Sequence, residues 1–345
     1  MTRLVLLGGG HAHALVLLKL QDFISKNLAV TLVTPSPAHV YSGMVPGVVA
    51  GHYAAADAQI DLARLAARAG VELVLDRVLR LDTGAKLVEL AGGDTLGYDV
   101  ASLNLGSLPS GVEEPAIAVK PFEKFFARWQ ALLENGPRTP RVAIAGGGAG
   151  GVELAMAMKF ALDERGSGGS VVVLSERDAF HGSVAARIRT ALDGLSIEWR
   201  TGTAATATEP GFDAVFWVTG ASADPLLRDS GLKTDARGFV LVDASLRSVS
   251  HPDVLAAGDS AALEDRELPK SGVYAVRQGA VLAENLKRIV RGMPMLDYAP
   301  QEASLSLISC GRKYAIASRG DWSTEGRWAW WWKDWLDRRW IAKFR

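Results

Sequence analysis

A chain of 345 residues is long enough for two domains, or for one domain interrupted by another. With 38 basic side chains balancing 38 acidic ones and 48% hydrophobic residues, it has a globular composition and no global pull toward nucleic acid, so no nucleic-acid partner is expected. The single cysteine, Cys310, excludes an internal disulfide and a thiolate-rich metal cluster, and no apolar run is long enough to cross a bilayer.

The opening run Arg3 to Leu7 is apolar enough to suggest a targeting segment, but it leads directly into glycines and no cleavage signal follows. A buried strand, then a tight turn at Gly8, Gly9 and Gly10, then a helix from Ala14 explain it better. Gly8 permits the turn, and Gly10 lets a diphosphate approach the backbone near a helix N-terminus, where free N–H groups favour anions. His13 stands where the third glycine is usual, which enlarges the strand–helix contact or shifts the helix outward. The next strand, "VTLV", ends at Thr34, where an acid usually receives an adenine ribose. Taken alone this is a degraded fingerprint, and a structural turn without ligand stays open.

After the hairpin-rich stretches "VELVLDRVLRLD" and "DTLGYDVASLNLGS" the motif recurs, now complete, in "RVAIAGGGAGGVELAMAM". Gly146, Gly148 and Gly151 have the full spacing after a strand, with Glu153 in the first turns of the helix. The following strand, "VVVLSE", ends at Glu176, placed to hydrogen-bond ribose hydroxyls. A carboxylate there repels a 2′-phosphate and favours NADH, while Arg177 beside it keeps NADPH open. Two fingerprints imply two bound nucleotides. Further on, "FDAVFWVTGASADP" carries Gly220, "VDASLRSVSHPDVLAAGDSAAL" carries Asp259, and "LPKSGVYAVRQGAVLAENLKRIV" reads as a strong helix. The order of strands nests the second nucleotide domain inside the first.

Paired glycine turns with "LNLGS", "WVTGA" and "AAGDSA" resemble the FAD-dependent pyridine nucleotide-disulfide oxidoreductases, and "HVYSGMVPGVVAGHY" resembles type II NADH dehydrogenases and sulfide:quinone reductases. "GGGHAHA", "YSGMVPG" and the tryptophan-rich end resemble more narrowly the flavoprotein module found fused ahead of selenide, water dikinase. The resemblance implies an α/β fold of two Rossmann-like domains: FAD-binding parts at 1–112 and 233–298, an inserted NAD(P)H-binding domain at 113–232, and a C-terminal hairpin and helical segment at 299–345. It further implies that Gly8, Gly10, His13, Thr34, Gly106 and Asp259 surround FAD, with Lys270, Ser271, Gly272 and Val273 at the pyrimidine edge of the flavin. Gly146, Gly148, Gly151, Glu153 and Glu176 would bind NADH, with Gly220 near its nicotinamide.

The expected activity is hydride transfer from NADH to FAD and onward to a quinone or another small electron acceptor. The flavin supplies the redox chemistry, so no acid–base triad is required. Without a thiol pair the chain lacks what disulfide reduction and sulfide oxidation need. Among candidates beside the flavin, Lys270 would stabilise negative charge, Tyr41 would touch flavin or acceptor, and His39 or His52 would donate a proton to reduced acceptor, since an ordinary imidazole titrates near neutrality. His11 and His13 have no neighbouring carboxylate or cysteine and suggest no metal site. Cys310 is read as a small buried hydrophobe in a hairpin packed on the flavin domain. A redox accessory of selenium or sulfur metabolism, or an FAD-stabilised scaffold or sensor, are the alternatives.

Six of the ten tryptophans fall between 326 and 345. As a helix, 328–338 puts Trp328, Trp331, Trp332, Trp335 and Leu336 on one arc and Lys333, Asp334, Asp337 and Arg338 opposite, with Trp330 breaking the pattern. The arc lies on a membrane surface through 322–345, or it packs on the flavin domain or a twin subunit as a homodimer. The expected location is the cytoplasm, with attachment to the inner face of the cell membrane under the first account.

Overall fold

The computed structural model describes residues 1–22 and 26–345. The run Thr2–Leu7 pairs in parallel with Leu28–Thr34 on one side and Val100–Leu103 on the other, Leu4 lying opposite both Val30 and Val100. Glu72–Leu75 and Val254–Ala256 close the two edges of a five-stranded parallel sheet. Such a sheet is covered on both faces, which is why Leu4, Leu6, Leu7, Leu32 and Val33 are all buried and the strands read as unbroken apolar runs.

A second parallel sheet runs Ile117–Ala118, Ala214–Trp217, Arg141–Ala145, Ser170–Ser175, Glu198–Thr201. Its strands all fall between Val100–Leu103 and Val254–Ala256 of the first sheet. The chain therefore leaves the first sheet, builds the second, and returns, as the strand order in the sequence implies. Each sheet places one glycine turn at the end of its central strand, followed by helices His11–Leu20 and Ala149–Glu164. A long helix, Gly272–Val290, packs on His11–Leu20; at their crossing a Cβ on Gly279 would stand 2.8 Å from Ala12 Cα, so the backbones touch.

The C-terminal part is a three-stranded antiparallel sheet, Ser306–Ser309, Ala315–Arg319 and Trp322–Gly326, leading into helix Arg327–Ala342. The end of the helix packs on the first nucleotide unit, Trp340, Ile341 and Phe344 joining its core, but the sheet expected there lies mainly against the second. Ile308, Cys310 and Ile316 share a core with Val142, Ile144 and Met156 of the second. The reason lies in helix Ala149–Glu164, which buries Val152, Leu154, Ala155, Met156, Ala157 and Met158 in sequence. A helix apolar all round needs cover on its outer side as well as its inner one. Cys310 is buried there, its thiol pushed up to about 12 by burial, as suits a packing residue.

The terminal helix is turned the opposite way from an ordinary amphipathic helix. Trp328, Trp331, Trp332, Trp335 and Leu336 are exposed, as is Trp322 in the preceding strand, while Trp330, Asp337, Trp340 and Ile341 are buried. The aromatic arc is therefore not packed on this chain's own first domain. Trp330, out of pattern in the sequence, faces inward and meets His52 edge-on at 5.5 Å. Among the described residues no helix is long and apolar enough to cross a membrane.

Candidate functional site

Both turns are built for close approach. Gly8 has φ +93°, and a Cβ there would lie 2.4 Å from the Asn104 carbonyl oxygen. Gly146 repeats this with φ +121° and Val218 O at 2.4 Å. A Cβ on Gly151 would overlap Gly146 O at 1.8 Å, which seats the helix directly against its strand. Gly148, by contrast, faces open space. Glu176 is exposed just beyond strand Ser170–Ser175, and Gly220, also exposed, accepts from Ser110 N at 2.7 Å. In the first unit Thr34 ends its strand, buried beside Gly9.

His13 is not on the open side of the first turn. It is fully buried, Nδ1 lying 2.6 Å from Gly8 O and Nε2 2.8 Å from Ser102 Oγ, and burial lowers it to about 4. The larger side chain in the third-glycine position serves as a wedge between strand and helix, and both ring nitrogens are spent on protein. Asn104, the asparagine of "LNLGS", organises the turn from below. Its Oδ1 accepts from Ala12 N and His13 N at 3.1 and 3.2 Å, and its Nδ2 donates to Ala257 O at 2.9 Å. An asparagine is suited to this because one amide both accepts and donates.

Asp259 follows Gly258 and accepts from Ser107 Oγ at 2.7 Å, with Lys120 Nζ at 3.4 Å. Gly106 N donates to Ser260 Oγ. Asp259, Lys270, Ser271, Tyr274 and Gln278 line a cavity of about 550 Å³. Lys270 itself is turned to the backbone: its Nζ donates to Ala261 O at 2.5 Å and lies 3.8 Å over the Phe239 ring. Burial lowers it to about 8, Asp259 opposing the shift. Helix Gly272–Val290 starts at Ser271 without a side-chain cap, so the N–H groups of Gly272 and the exposed Val273 open its positive end toward a ligand. A dinucleotide fits this set of residues: a turn closed to any Cβ, an uncapped helix end and the Asp259 carboxylate.

Glu153 is not beside the second turn's open face. Its Oε1 accepts from Ser309 N at 2.8 Å and lies 3.8 Å from Lys333 Nζ. Lys333 also donates to Gly43 O at 2.7 Å and Asp337 Oδ2 at 3.1 Å, and Tyr41 Oη donates to Asp337 Oδ1 at 3.2 Å. Two carboxylates thus share one ammonium, all three side chains at most 14% exposed. Burial raises both Glu153 and Asp337 above the ordinary carboxylate range, Lys333 holding them back. Burial would lower Lys333, but the two carboxylates outweigh it and the ammonium is raised. Burial and Asp337 raise the Tyr41 phenol, so it stays protonated. Neither Lys333 nor Asp337 is marked by spacing; both lie on the polar side of a helix whose polar side faces inward.

The remaining histidines also depart from expectation. His39 lies 3.0 Å from His11 and is held well below an ordinary imidazole by burial, then by His11 and Lys120, so at rest it is not a neutral-pH proton donor. His52 spends Nε2 on Gly311 O at 2.7 Å and is a structural contact. The contacts link the two units: His11 meets Tyr41 ring to ring at 5.5 Å, Tyr41 reaches Asp337, and Lys333 reaches Glu153. A polar path therefore runs from the helix of the first turn to the helix of the second.

The chain is 24% identical over 348 residues to the type II NADH:quinone oxidoreductase of Staphylococcus epidermidis, covering 86% of this chain and 84% of that one. In fold it is similar to the sulfide:quinone oxidoreductase of Aquifex aeolicus, with a TM-score of 0.81 at 19% identity over 100% of this chain and 92% of that one. It is also similar to NDH2 of Plasmodium falciparum in complex with NADH, with a TM-score of 0.79 at 14% identity over 99% and 97% of the two chains. Residues 2–279 match the pyridine nucleotide-disulphide oxidoreductase family, to which, on its nested nucleotide turns and this match, the chain belongs.

Proposed function

We infer that this protein oxidises NADH through FAD and passes the electrons to a quinone-like acceptor that approaches beneath the terminal helix. The observation that carries this reading is the polar path from His11 to Glu153, which places ionisable groups between the two nucleotide turns. Support comes from relatives named for NADH and quinone, and from Glu176, whose carboxylate suits a ribose with a free 2′-hydroxyl.

When bound, FAD accepts a hydride and releases electrons singly or in pairs. The protein's part is placement. Gly146, Gly148 and Glu176 would hold NADH, and Gly8, Gly10, Asp259 and the N–H groups of Gly272 and Val273 would hold FAD. Full reduction of a quinone by NADH consumes one solvent proton. Glu153 and Asp337, both raised above the ordinary carboxylate range by burial, flank one shared Lys333 there. The exposed tryptophans of the terminal helix suit the headgroup depth of a lipid surface, with Arg327 over Trp331 and Arg339 over Trp335 to meet anionic lipid. The narrower likeness to the module ahead of selenide, water dikinase rests on sequence motifs alone.

Anaerobic addition of NADH to the FAD-loaded protein should bleach the oxidised flavin band, and a soluble quinone should restore it. A flavin that stays oxidised would make the chain a scaffold or sensor, and reoxidation by oxygen only would remove the quinone. Replacing Trp331 and Trp335 with serine should weaken sedimentation with anionic vesicles; unchanged sedimentation would remove the lipid contact.

A further inference from the structure

His11 enters the reading above only as one end of the polar path, yet its surroundings are specific. Its Nδ1 lies 3.0 Å from His39 Nε2, the rings meeting edge-on with centroids 4.5 Å apart. One hydrogen bond between two neutral imidazoles holds one proton, and the side that supplies it decides what the other nitrogens present. If His39 donates, His11 accepts at Nδ1 and carries its own proton on Nε2. That Nε2 is buried and has no hydrogen-bond partner among the described residues. It lies beside Gly272, where a Cβ would stand 3.7 Å from it and 3.5 Å from Ser42 Oγ. Gly272 opens a helix of 19 residues whose N-terminus has no side-chain cap, and His11 opens another beginning at Gly10. Buried polar atoms are rarely left unpaired, and two positive helix ends favour an electron-rich partner. An Nε2–H donor is the tautomer that matches such a partner.

We propose that His11, backed by His39, is a proton-sharing pair that donates through His11 Nε2 to the bound flavin and takes up the solvent proton that accompanies two-electron transfer. This rests on the FAD and NADH reading above. NADH gives up two electrons and one proton as hydride and leaves as NAD⁺, so the site gains one negative charge. One solvent proton on the pair cancels that charge. It departs with the acceptor, which leaves carrying two electrons and two protons.

The charges around the pair set the order of events. Lys120 acts on both rings, although its ammonium is also 3.4 Å from Asp259 and 3.1 Å from Ser107 Oγ. On the opposite side Tyr41 lies against His11 with its hydroxyl given to Asp337, which shares Lys333 with Glu153. Before the helix end, Lys270 is turned to Ala261 O. With these groups in place, burial first and Lys120 second hold His11 at about 4, so the resting pair is neutral. A negative charge at contact distance strengthens proton binding by roughly a thousandfold, which brings His11 into the neutral range. The proton follows the electrons.

The test uses FAD-loaded protein labelled with ¹⁵N in its six histidines, compared oxidised and anaerobically reduced near neutral pH. One imidazole should become doubly protonated on reduction, and its signal should be absent in His11→Gln. A parallel redox titration across about pH 5.5 to 8.5 counts protons taken up per two electrons. Below about pH 7 the parent should take up two, whereas His11→Gln, which keeps a donor but cannot bind a further proton, should take up one. Six unchanged imidazoles on reduction would overturn the proposal whether or not the variant folds, as would an unchanged proton count in folded, FAD-loaded His11→Gln. Failure of the parent to retain FAD, or of NADH to reduce it, would instead overturn the reading beneath it.

Discussion

Replacing Lys333 with methionine removes the ammonium shared by Glu153 and Asp337 while keeping most of its volume. Lys333 is 3.1 Å from Asp337, 3.8 Å from Glu153 and 2.7 Å from Gly43 O, so all three lose the ammonium together, Glu153 keeping Ser309 N and Asp337 keeping the Tyr41 hydroxyl. Two buried carboxylates without a counter-ion do not both stay ionised in that setting; one takes up a proton. Holding a carboxyl protonated at about pH 7.5, against an unfolded value near 4.3, costs about 4 kcal/mol, and at about pH 5.5 it costs about 2 kcal/mol. The unpaired Gly43 carbonyl adds about 1 kcal/mol at either pH. The sign follows from linkage: a carboxyl raised in the folded state binds a proton that the unfolded chain releases, so stability falls as pH rises through the unfolded value. Urea unfolding followed by tryptophan fluorescence should therefore show a deficit of about 5 kcal/mol at pH 7.5, shrinking to about 3 kcal/mol at pH 5.5. A deficit below about 1 kcal/mol at the higher pH, or one of equal size at both, would refute a buried, shared cation.

The two neighbouring glycines of the second turn should separate folding from binding. Gly151→Ala forces a methyl into Gly146 O and should cost more than about 3 kcal/mol by urea unfolding, while Gly148→Ala, facing open space, should leave stability within about 0.5 kcal/mol yet raise the KM for NADH tenfold or more. Glu176→Gln should lower kcat/KM for NADH by about tenfold or more through loss of a charge-assisted hydrogen bond and narrow the preference over NADPH, read from steady-state rates with each nucleotide. Asn104→Ala strips partners from Ala12 N, His13 N and Ala257 O and should cost about 2 to 4 kcal/mol, with FAD retention falling in proportion when measured by absorbance after gel filtration.

The parts of the fold carried by local chemistry were legible in the chain. Glycine after an apolar strand leaves few alternatives, so both turns, both parallel sheets and the return at Val254–Ala256 follow from short segments. The site was legible only where backbone geometry makes it. Side chains joined by distant elements were not: His13 is paired with Ser102, and Glu153 with Ser309 and Lys333, partners that no spacing marks. His39 illustrates the same limit in its acidity, because the burial that depresses it is a property of the assembled site. The terminal helix showed its two faces in the sequence but not which faced in. The usual rule of apolar inward gave way once Tyr41, Gly43 and Tyr53 offered its polar side hydrogen bonds.

Because that polar side is stitched down, through Tyr53 to Asp334 at 2.6 Å as well as Tyr41 to Asp337, the C-terminal helix is no detachable foot. Truncating it would strip Glu153 of its counter-ion and Tyr41 and Tyr53 of their acceptors, so a shortened chain would report structural damage and lost adhesion as one signal. The outer tryptophans are thereby fixed in place relative to the carboxylates beneath them, and the same helix touches both nucleotide units through Tyr41 and Glu153.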